Sequence, residues 1–220
     1  MDNWFSSLKE AFQSMANVKE MIKIGGISVM TVIVFAETGL LFGFFLPGDS
    51  MIVFAGIYTA PATDPADITL DPWILMLCLT LAAIIGNELG RWLGAKFGER
   101  VEKWEDGWLY KRRYLETARN YYAEKGATSL VLARFQPIVR TFVPFVAGMG
   151  KMPRRRFFFW NVAGAVIWIG SLVLLGNIVG HTSLRDDPKL VITSVIFLSF
   201  LPLIYKAGKA WLTSPPAPRT

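Results

Sequence analysis

Apolar residues fall in five blocks, about 24–60, 73–95, 127–149, 157–180 and 190–205, with charged stretches between them. A helix rising 1.5 Å per residue crosses a bilayer core with about 20 residues. Blocks 73–95 and 157–180, and more tightly 190–205, each fit one crossing. Block 24–60 is too long for one and carries Glu37 and Asp49; block 127–149 has a suitable length but contains Arg134, Arg140, Pro137 and Pro144. Ahead of them, residues 2–15 place Trp4, Phe5, Leu8, Phe12 and Met15 near one helix face, the spacing of an interfacial helix. The mixed charge of this start, without a short apolar core and small-residue cleavage site, predicts no cleaved signal.

Charge in the connecting stretches sets the parity. Loop 61–71 has Asp64, Asp67 and Asp71 and no Lys or Arg, whereas 96–126 holds eight basic residues and 151–156 adds Lys151, Arg154, Arg155 and Arg156. Loop 181–189 is neutral overall, and Lys206, Lys209 and Arg219 follow in the tail. Lys and Arg accumulate on the cytoplasmic side, which puts 61–71 and 181–189 outside and both termini inside. Block 127–149 is then flanked by cytoplasmic charge at both ends and is predicted to enter and return as a re-entrant hairpin, with Pro137 and Pro144 as break points. The excess length of 24–60 predicts one span plus a second hairpin, broken near Pro47-Gly48. Irregular backbone at membrane depth is tolerated where it is buried in protein or lines a wet cavity, so two broken segments point to a site. The expected fold is an all-α polytopic membrane protein with two re-entrant hairpins and pseudo-inverted halves, the first hairpin acidic and the second basic.

Composition agrees: 53% of the 220 residues are hydrophobic and 18% charged, against about 25% charged in soluble domains, and the mean hydropathy is +0.39. A net charge of +6 could suggest nucleic acid, but the basic residues flank apolar blocks, where they orient a membrane protein. Cys78, the single cysteine, excludes an intrachain disulfide and argues against a thiolate metal site. No cofactor is implied. Stretch 99–125 mixes charges with Trp104, Trp108, Tyr110, Tyr114, Tyr121 and Tyr122 and reads as cytoplasmic interfacial helices. The expected organisation is an interfacial helix over 1–20, a membrane domain over 21–205 and a cytoplasmic tail over 206–220.

Glu37 has no basic residue within ten positions on either side. A buried carboxylate costs several kcal/mol unless paired, so it either pairs across the fold or holds a proton. Asp49 follows Pro47-Gly48 and would cap a helix beginning near Met51. Arg134 and Arg140 cannot discharge themselves, and their planar forks suit carboxylate or phosphate; the chain offers Glu37 and Asp49, and a phosphate-bearing substrate could supply the rest. A purely structural clamp between the hairpins is the alternative. Gly86, Gly90, Gly94 and Gly98 recur every fourth position and predict close helix packing. Glu88 and Arg91, three apart, either pair along one helix or act as accessory residues. His181 reads as a surface residue of an outer loop.

The stretch RFQPIVRTFVPFVAG resembles the signature of the DedA family of bacterial inner-membrane proteins, Arg-Phe-x-Pro-x-x-Arg-x-x-x-Pro-x-x-Ala-Gly, matched by Arg134, Phe135, Pro137, Arg140, Pro144, Ala147 and Gly148. Glu37 followed by Pro47-Gly48-Asp49 is similar to that family's acidic motif, and the likeness spans roughly residues 20–205. The resemblance implies two re-entrant hairpins, a fold shared with eukaryotic lipid scramblases bearing the VTT domain. It further implies proton-motive-force-linked recycling of undecaprenyl phosphate across the inner membrane, with Glu37, Asp49, Arg134 and Arg140 essential. The family's middle motif, Gly-Asp-x-x-Gly-Tyr-x-x-Gly-Arg, is altered: Asn87 replaces an acid, Arg91 a tyrosine and Ala95 an arginine. Its role therefore does not carry over, and the change could mark a subgroup with a different lipid preference.

The leading expectation is a non-enzymatic flippase for undecaprenyl phosphate or a related anionic lipid. In it Arg134 and Arg140 bind phosphate and Glu37 and Asp49 exchange protons. A homo-oligomer is compatible with it. The alternative is a proton/cation antiporter serving pH and membrane-potential homeostasis, against which the arginines weigh. A lipid phosphatase would need a nucleophile beside a base, and Thr38 and Thr141 are the only hydroxyls close by.

Overall fold

The computed structural model describes residues 25–40, 48–61, 69–101 and 112–182. The proposed interfacial helix, Pro47, the acids Asp64 and Asp67, the aromatics Trp104, Trp108 and Tyr110, block 190–205 and the tail lie outside them.

The described residues form helices and turns without strands. In order these are α1 (Gly25–Gly39), α2 (Gly48–Ile57), α3 (Pro72–Val101), α4 (Arg112–Lys125), α5 (Ser129–Leu132), α6 (Pro137–Met149) and α7 (Arg154–Gly180). Single 3₁₀ turns, Gly126–Thr128 and Ala133–Phe135, precede and follow α5. At 1.5 Å per residue α3 and α7 are roughly 45 and 40 Å long, enough to cross a bilayer. Each presents an outward apolar stripe: Trp73, Leu77, Leu81 and Ile85 on α3, and Phe159, Val166, Leu174 and Ile178 on α7. Such continuous exposed apolar faces require an apolar surrounding.

Local chemistry fixes the ends of these helices. Asp71 Oδ1 accepts from the N–H groups of Trp73 (2.9 Å) and Ile74 (2.8 Å), an N-cap with proline at the first helical position. Between α6 and α7 the chain closes a Schellman turn: Met152 N–H donates to Ala147 O and Lys151 N–H to Gly148 O, both 3.0 Å, with Lys151 at φ +51° in the position glycine usually fills. Arg154, Arg155 and Arg156 open α7 against its helix dipole. Helix stability does not explain their placement.

The two odd blocks are both broken. Block 24–60 divides into α1 and α2, and α2 begins at Gly48, next to the expected break. Block 127–149 breaks at Gln136, whose extended backbone (φ −129°, ψ 106°) separates the Ala133–Phe135 turn from α6. Pro137 starts α6 as expected, but Pro144 does not break it; the helix runs on to Met149. A proline inside a helix removes one N–H to the carbonyl four residues back, here Arg140's, and packing of α6 on its neighbours outweighs that single loss.

Two cores result. Met30, Val34, Ile52, Leu75, Leu79, Trp168 and Ile169 join α1, α2, α3 and α7; Leu115, Leu130, Phe142, Phe145, Phe157 and Val101 join α4 to α7 with the end of α3. The glycines of α3 share this packing unequally. A Cβ at Gly94 would sit 2.9 Å from Phe145 Cα, and one at Gly86 2.9 Å from Phe35 O, both too close, whereas at Gly90 it would meet Pro144 Cβ at an ordinary 3.5 Å. Gly56 and Gly176 similarly bring α2 and α7 backbone to backbone.

Candidate functional site

Glu37, Asp49, Arg134 and Arg140, far apart in sequence, come together where the two cores meet. Arg140, in the first turn of α6, splits its fork between two helices. Nη1 donates to Asp49 Oδ1 on α2 at 2.6 Å, and Nη2 donates to Glu37 Oε1 near the end of α1. Glu37 is fully buried, and Arg140 and Arg134 nearly so. Burying such charges is costly unless they are paired and hydrogen-bonded, and the Arg140 trio meets that condition with one cation between two acids.

Backbone geometry makes room for this. Gly48, the first residue of α2, lies against the Glu37 carboxylate so closely that a Cβ would run into it. Asp49 thus stands inside the first turn of α2 rather than ahead of it. The helix starts three residues earlier than the expected start near Met51, and the Asp49 carboxylate turns to Arg140 and to Trp168, whose Nε1–H donates to Oδ1 at 3.1 Å.

Arg134 sits in the 3₁₀ turn before α6 and meets a different set of partners. Its Nη2 donates to Asn161 Oδ1 (2.7 Å) and more weakly to the Asn161 carbonyl (3.3 Å) on α7. Gly164, one turn further along α7, lets it approach; a Cβ there would meet Arg134 Nε at 3.0 Å. Both guanidinium groups lie within 6 Å of the Trp168 ring, Arg134 at 5.5 Å and Arg140 at 5.2 Å, within cation–π range.

Glu88 and Arg91 pair with each other on α3 at 3.1 Å, and Arg91 leans over the Phe157 ring at 5.4 Å. Among the described residues no ion pair links them to the four-charge cluster. Thr38 donates its hydroxyl to the Val34 carbonyl at 2.8 Å. His181 follows the end of α7, exposed, with Nδ1 2.9 Å from Asn177 O.

Three residues of the site escaped the sequence reading: Trp168, Asn161 and, as a partner of Asn161 at 3.0 Å, Asn87. The available signal was Asn161, a lone amide in the apolar run FFFWNVAGAVIWIG, and a buried amide needs partners. It has them, accepting from Arg134 and donating through Nδ2 to the Ile84 carbonyl at 3.0 Å.

Residues 46–178, more than half of the chain, match the VTT domain family. The chain belongs to that family. The VTT domain match includes Asp49, Arg134, Arg140, Asn161 and Trp168, and Glu37 lies just before it. The chain is 36% identical over 176 residues to Protein DedA of Escherichia coli (strain K12), covering 80% of this chain and 78% of that protein. It is 32% identical over 190 residues to an uncharacterized membrane protein, Rv0364, of Mycobacterium tuberculosis (strain ATCC 25618 / H37Rv), covering 86% and 82%. With the inner membrane protein YqjA of E. coli K12 it shares 34% identity over 158 residues, 70% of this chain and 67% of the relative. No solved structure matches. Family membership, relatives named as membrane proteins and the two long apolar helices together make this VTT-domain chain a membrane protein.

Proposed function

We propose that this chain is a non-enzymatic transporter that moves an anionic lipid, undecaprenyl phosphate or a relative with the same phosphate head group, across the bacterial inner membrane. The observation that carries the reading is the pair of buried arginines beside Trp168, one of them engaged by both Glu37 and Asp49. Arginines embedded among apolar helices need anions, and a planar fork binds phosphate oxygens well. In this scheme phosphate displaces carboxylate from Arg140, the freed acid takes a proton, and release of the lipid restores the internal pair. The polyprenyl chain stays in lipid throughout. Coupling to the proton motive force follows, because each cycle loads and unloads a carboxyl.

The same reading includes a topology: broken segments 24–60 and 127–149 as re-entrant hairpins of two pseudo-inverted halves, an interfacial helix over 1–20, and both termini in the cytoplasm. The basic start of α7 supports that orientation. Both acids being spent on Arg140 disfavours a cation antiporter, and engagement of the Thr38 hydroxyl by a helix carbonyl disfavours it as a nucleophile.

The test is lipid movement in proteoliposomes. Wild-type protein is expected to translocate short-chain polyprenyl phosphate faster with an imposed proton gradient. Glu37→Gln is expected to lose the gradient response and Arg134→Ala to lose most transport. Wild-type rates in both variants would sink the reading.

A further inference from the structure

A cavity of about 760 Å³ lies at the end of α3 that carries Lys96 and Arg100, and it shares no residue with the Arg140 cluster. The last turns of α3, the Arg119 side of α4 and the turn between α6 and α7 enclose it. Its size is that of a small-molecule site. Four cations line it, Lys96 and Arg100 from α3, Arg119 from α4 and Lys151 from the turn, against one carboxylate, Glu99. Among the described residues no ion pair engages Lys96, Arg100, Lys151 or Glu99. Aromatic rings seat two of the cations instead. Lys96 Nζ stands over the Trp92 ring at 4.8 Å and the Phe97 ring at 5.4 Å, and Arg100 over Phe97 at 6.0 Å. A ring face attracts a cation without neutralising it.

Cations needed only for solubility gain nothing from converging on one hollow, where they repel one another. Lys151 also takes its place at a backbone cost. Its φ of +51° is a conformation that glycine adopts freely and a side chain does not. A glycine would close the same turn more cheaply, but would bring no charge to the cavity.

The setting tells which anion fits. Leu77, Leu81, Ile85 and Trp92 form an exposed apolar stripe along α3, and Lys96 follows Trp92 by one helical turn. The cavity therefore continues a face that lies against acyl chains. Tryptophan favours the level where chains give way to head groups, and Trp92 itself carries Lys96. A soluble anion would need no such continuity.

We propose that this cavity is a resident site for an anionic glycerophospholipid, its phosphodiester held by Lys96, Arg100 and Lys151 and its acyl chains lying along the exposed stripe of α3. Charge-assisted hydrogen bonds to phosphate oxygens supply the contact, and basic pockets between membrane helices recognise such head groups. The lipid is a ligand of the fold and not its cargo. The site stands whether or not the central cluster moves a lipid phosphate.

Binding of tail-labelled phosphatidylglycerol and phosphatidylcholine to purified full-length protein in neutral detergent tests this. Phosphatidylglycerol is expected to bind about tenfold tighter or more, and equal binding of the two would overturn the proposal. Lys96→Gln and Lys151→Gly should each weaken phosphatidylglycerol binding about fivefold, and the double variant more. Lys151→Gly relaxes the turn, so its unfolding midpoint should hold or rise, which separates lost binding from lost folding. Arg155→Gln is the control, an exposed cation at the start of α7 that does not line the cavity, and it should bind as wild type does. Cavity variants that bind like this control would overturn the site. Glycerol 3-phosphate separates a lipid from a soluble phosphate ester: competition only at far higher concentration is expected, and competition at the lipid's own concentration overturns the lipid assignment. Arg134→Ala is expected to keep phosphatidylglycerol binding. Loss of binding there, with Lys96→Gln unaffected, would move the lipid to the central cluster and sink the proposal, whereas failed transport in proteoliposomes bears on the central cluster alone.

Discussion

Among the described residues, two paired sets of acidic and basic side chains, Glu88–Arg91 and the Arg140 cluster, are built differently. The Glu88–Arg91 pair spans three residues of one helix and is partly exposed. The Arg140 cluster joins residues 91 and 103 positions apart, on three helices, with Glu37 fully buried. A pair along one helix forms whenever that helix forms and contributes only tenths of a kcal/mol. A cluster closed by separate helices exists only in the assembled fold, and each member is costly without the others. The long-range set is therefore the one that stability depends on, and under the transport proposed above it is also the one where stability and function are coupled.

The harshest way to probe that contrast is Arg140→Ala. It leaves Glu37 buried and Asp49 half-buried with no cation between them, and removing one partner of a buried pair costs roughly 3–5 kcal/mol. The expected result is a large drop in the detergent unfolding midpoint together with loss of transport. Adding Glu37→Gln should recover part of the stability, because it removes one stranded charge; the coupling is read from the double-mutant cycle. An Arg140→Ala protein that unfolds at the wild-type midpoint would break the comparison at its strongest point.

A gentler perturbation reaches the same cluster through the backbone. Gly48→Ala pushes a methyl group into the Glu37 carboxylate and should cost about 1–3 kcal/mol, the range for overpacking. Transport should weaken too, as Glu37 is moved off Arg140. Gly90→Ala is the matched control, since its methyl meets Pro144 Cβ, Thr38 O and Gly39 O at ordinary distances of 3.5, 3.8 and 3.9 Å. It should leave the midpoint unchanged or slightly raised, because alanine favours the helix by up to about 1 kcal/mol over glycine. Equal effects at the two glycines would mean that the Glu37 contact carries no special weight.

The same division explains what the sequence made legible. Block lengths located α3 and α7, because a long apolar helix is a property of a continuous run. The pattern of Glu37, Asp49, Arg134 and Arg140 named the residues that meet, because unpaired charge in apolar surroundings demands partners from elsewhere. Pro137 marked a real break, but Pro144 did not; whether a proline interrupts a helix depends on packing that local sequence does not contain. Asp49 looked like a cap because its neighbours suggested one, and its true partners, Arg140 and Trp168, lie 91 and 119 residues away. Trp168 was one apolar residue among many in its run. Asn87 stood out only as an exception to a motif, and its hydrogen bond to Asn161 is created by α3 and α7 meeting.

The smallest effect is expected at Glu88→Gln. The substitution removes one member of a partly exposed pair, and such pairs at i, i+3 are worth about 0.2–0.5 kcal/mol. Arg91 retains its seat over the Phe157 ring at 5.4 Å, so its guanidinium has a second support once the carboxylate is gone. Glu88 Oε1 is buried without a hydrogen-bond partner, and a glutamine there replaces a charged oxygen by a neutral group of the same shape, which offsets some of the lost attraction. Unfolding midpoint and lipid movement should both stay near wild type. If stability is unchanged while transport collapses, Glu88 belongs with the long-range cluster in function although it is built like a local pair, and position along one helix would no longer mark a charge as a bystander.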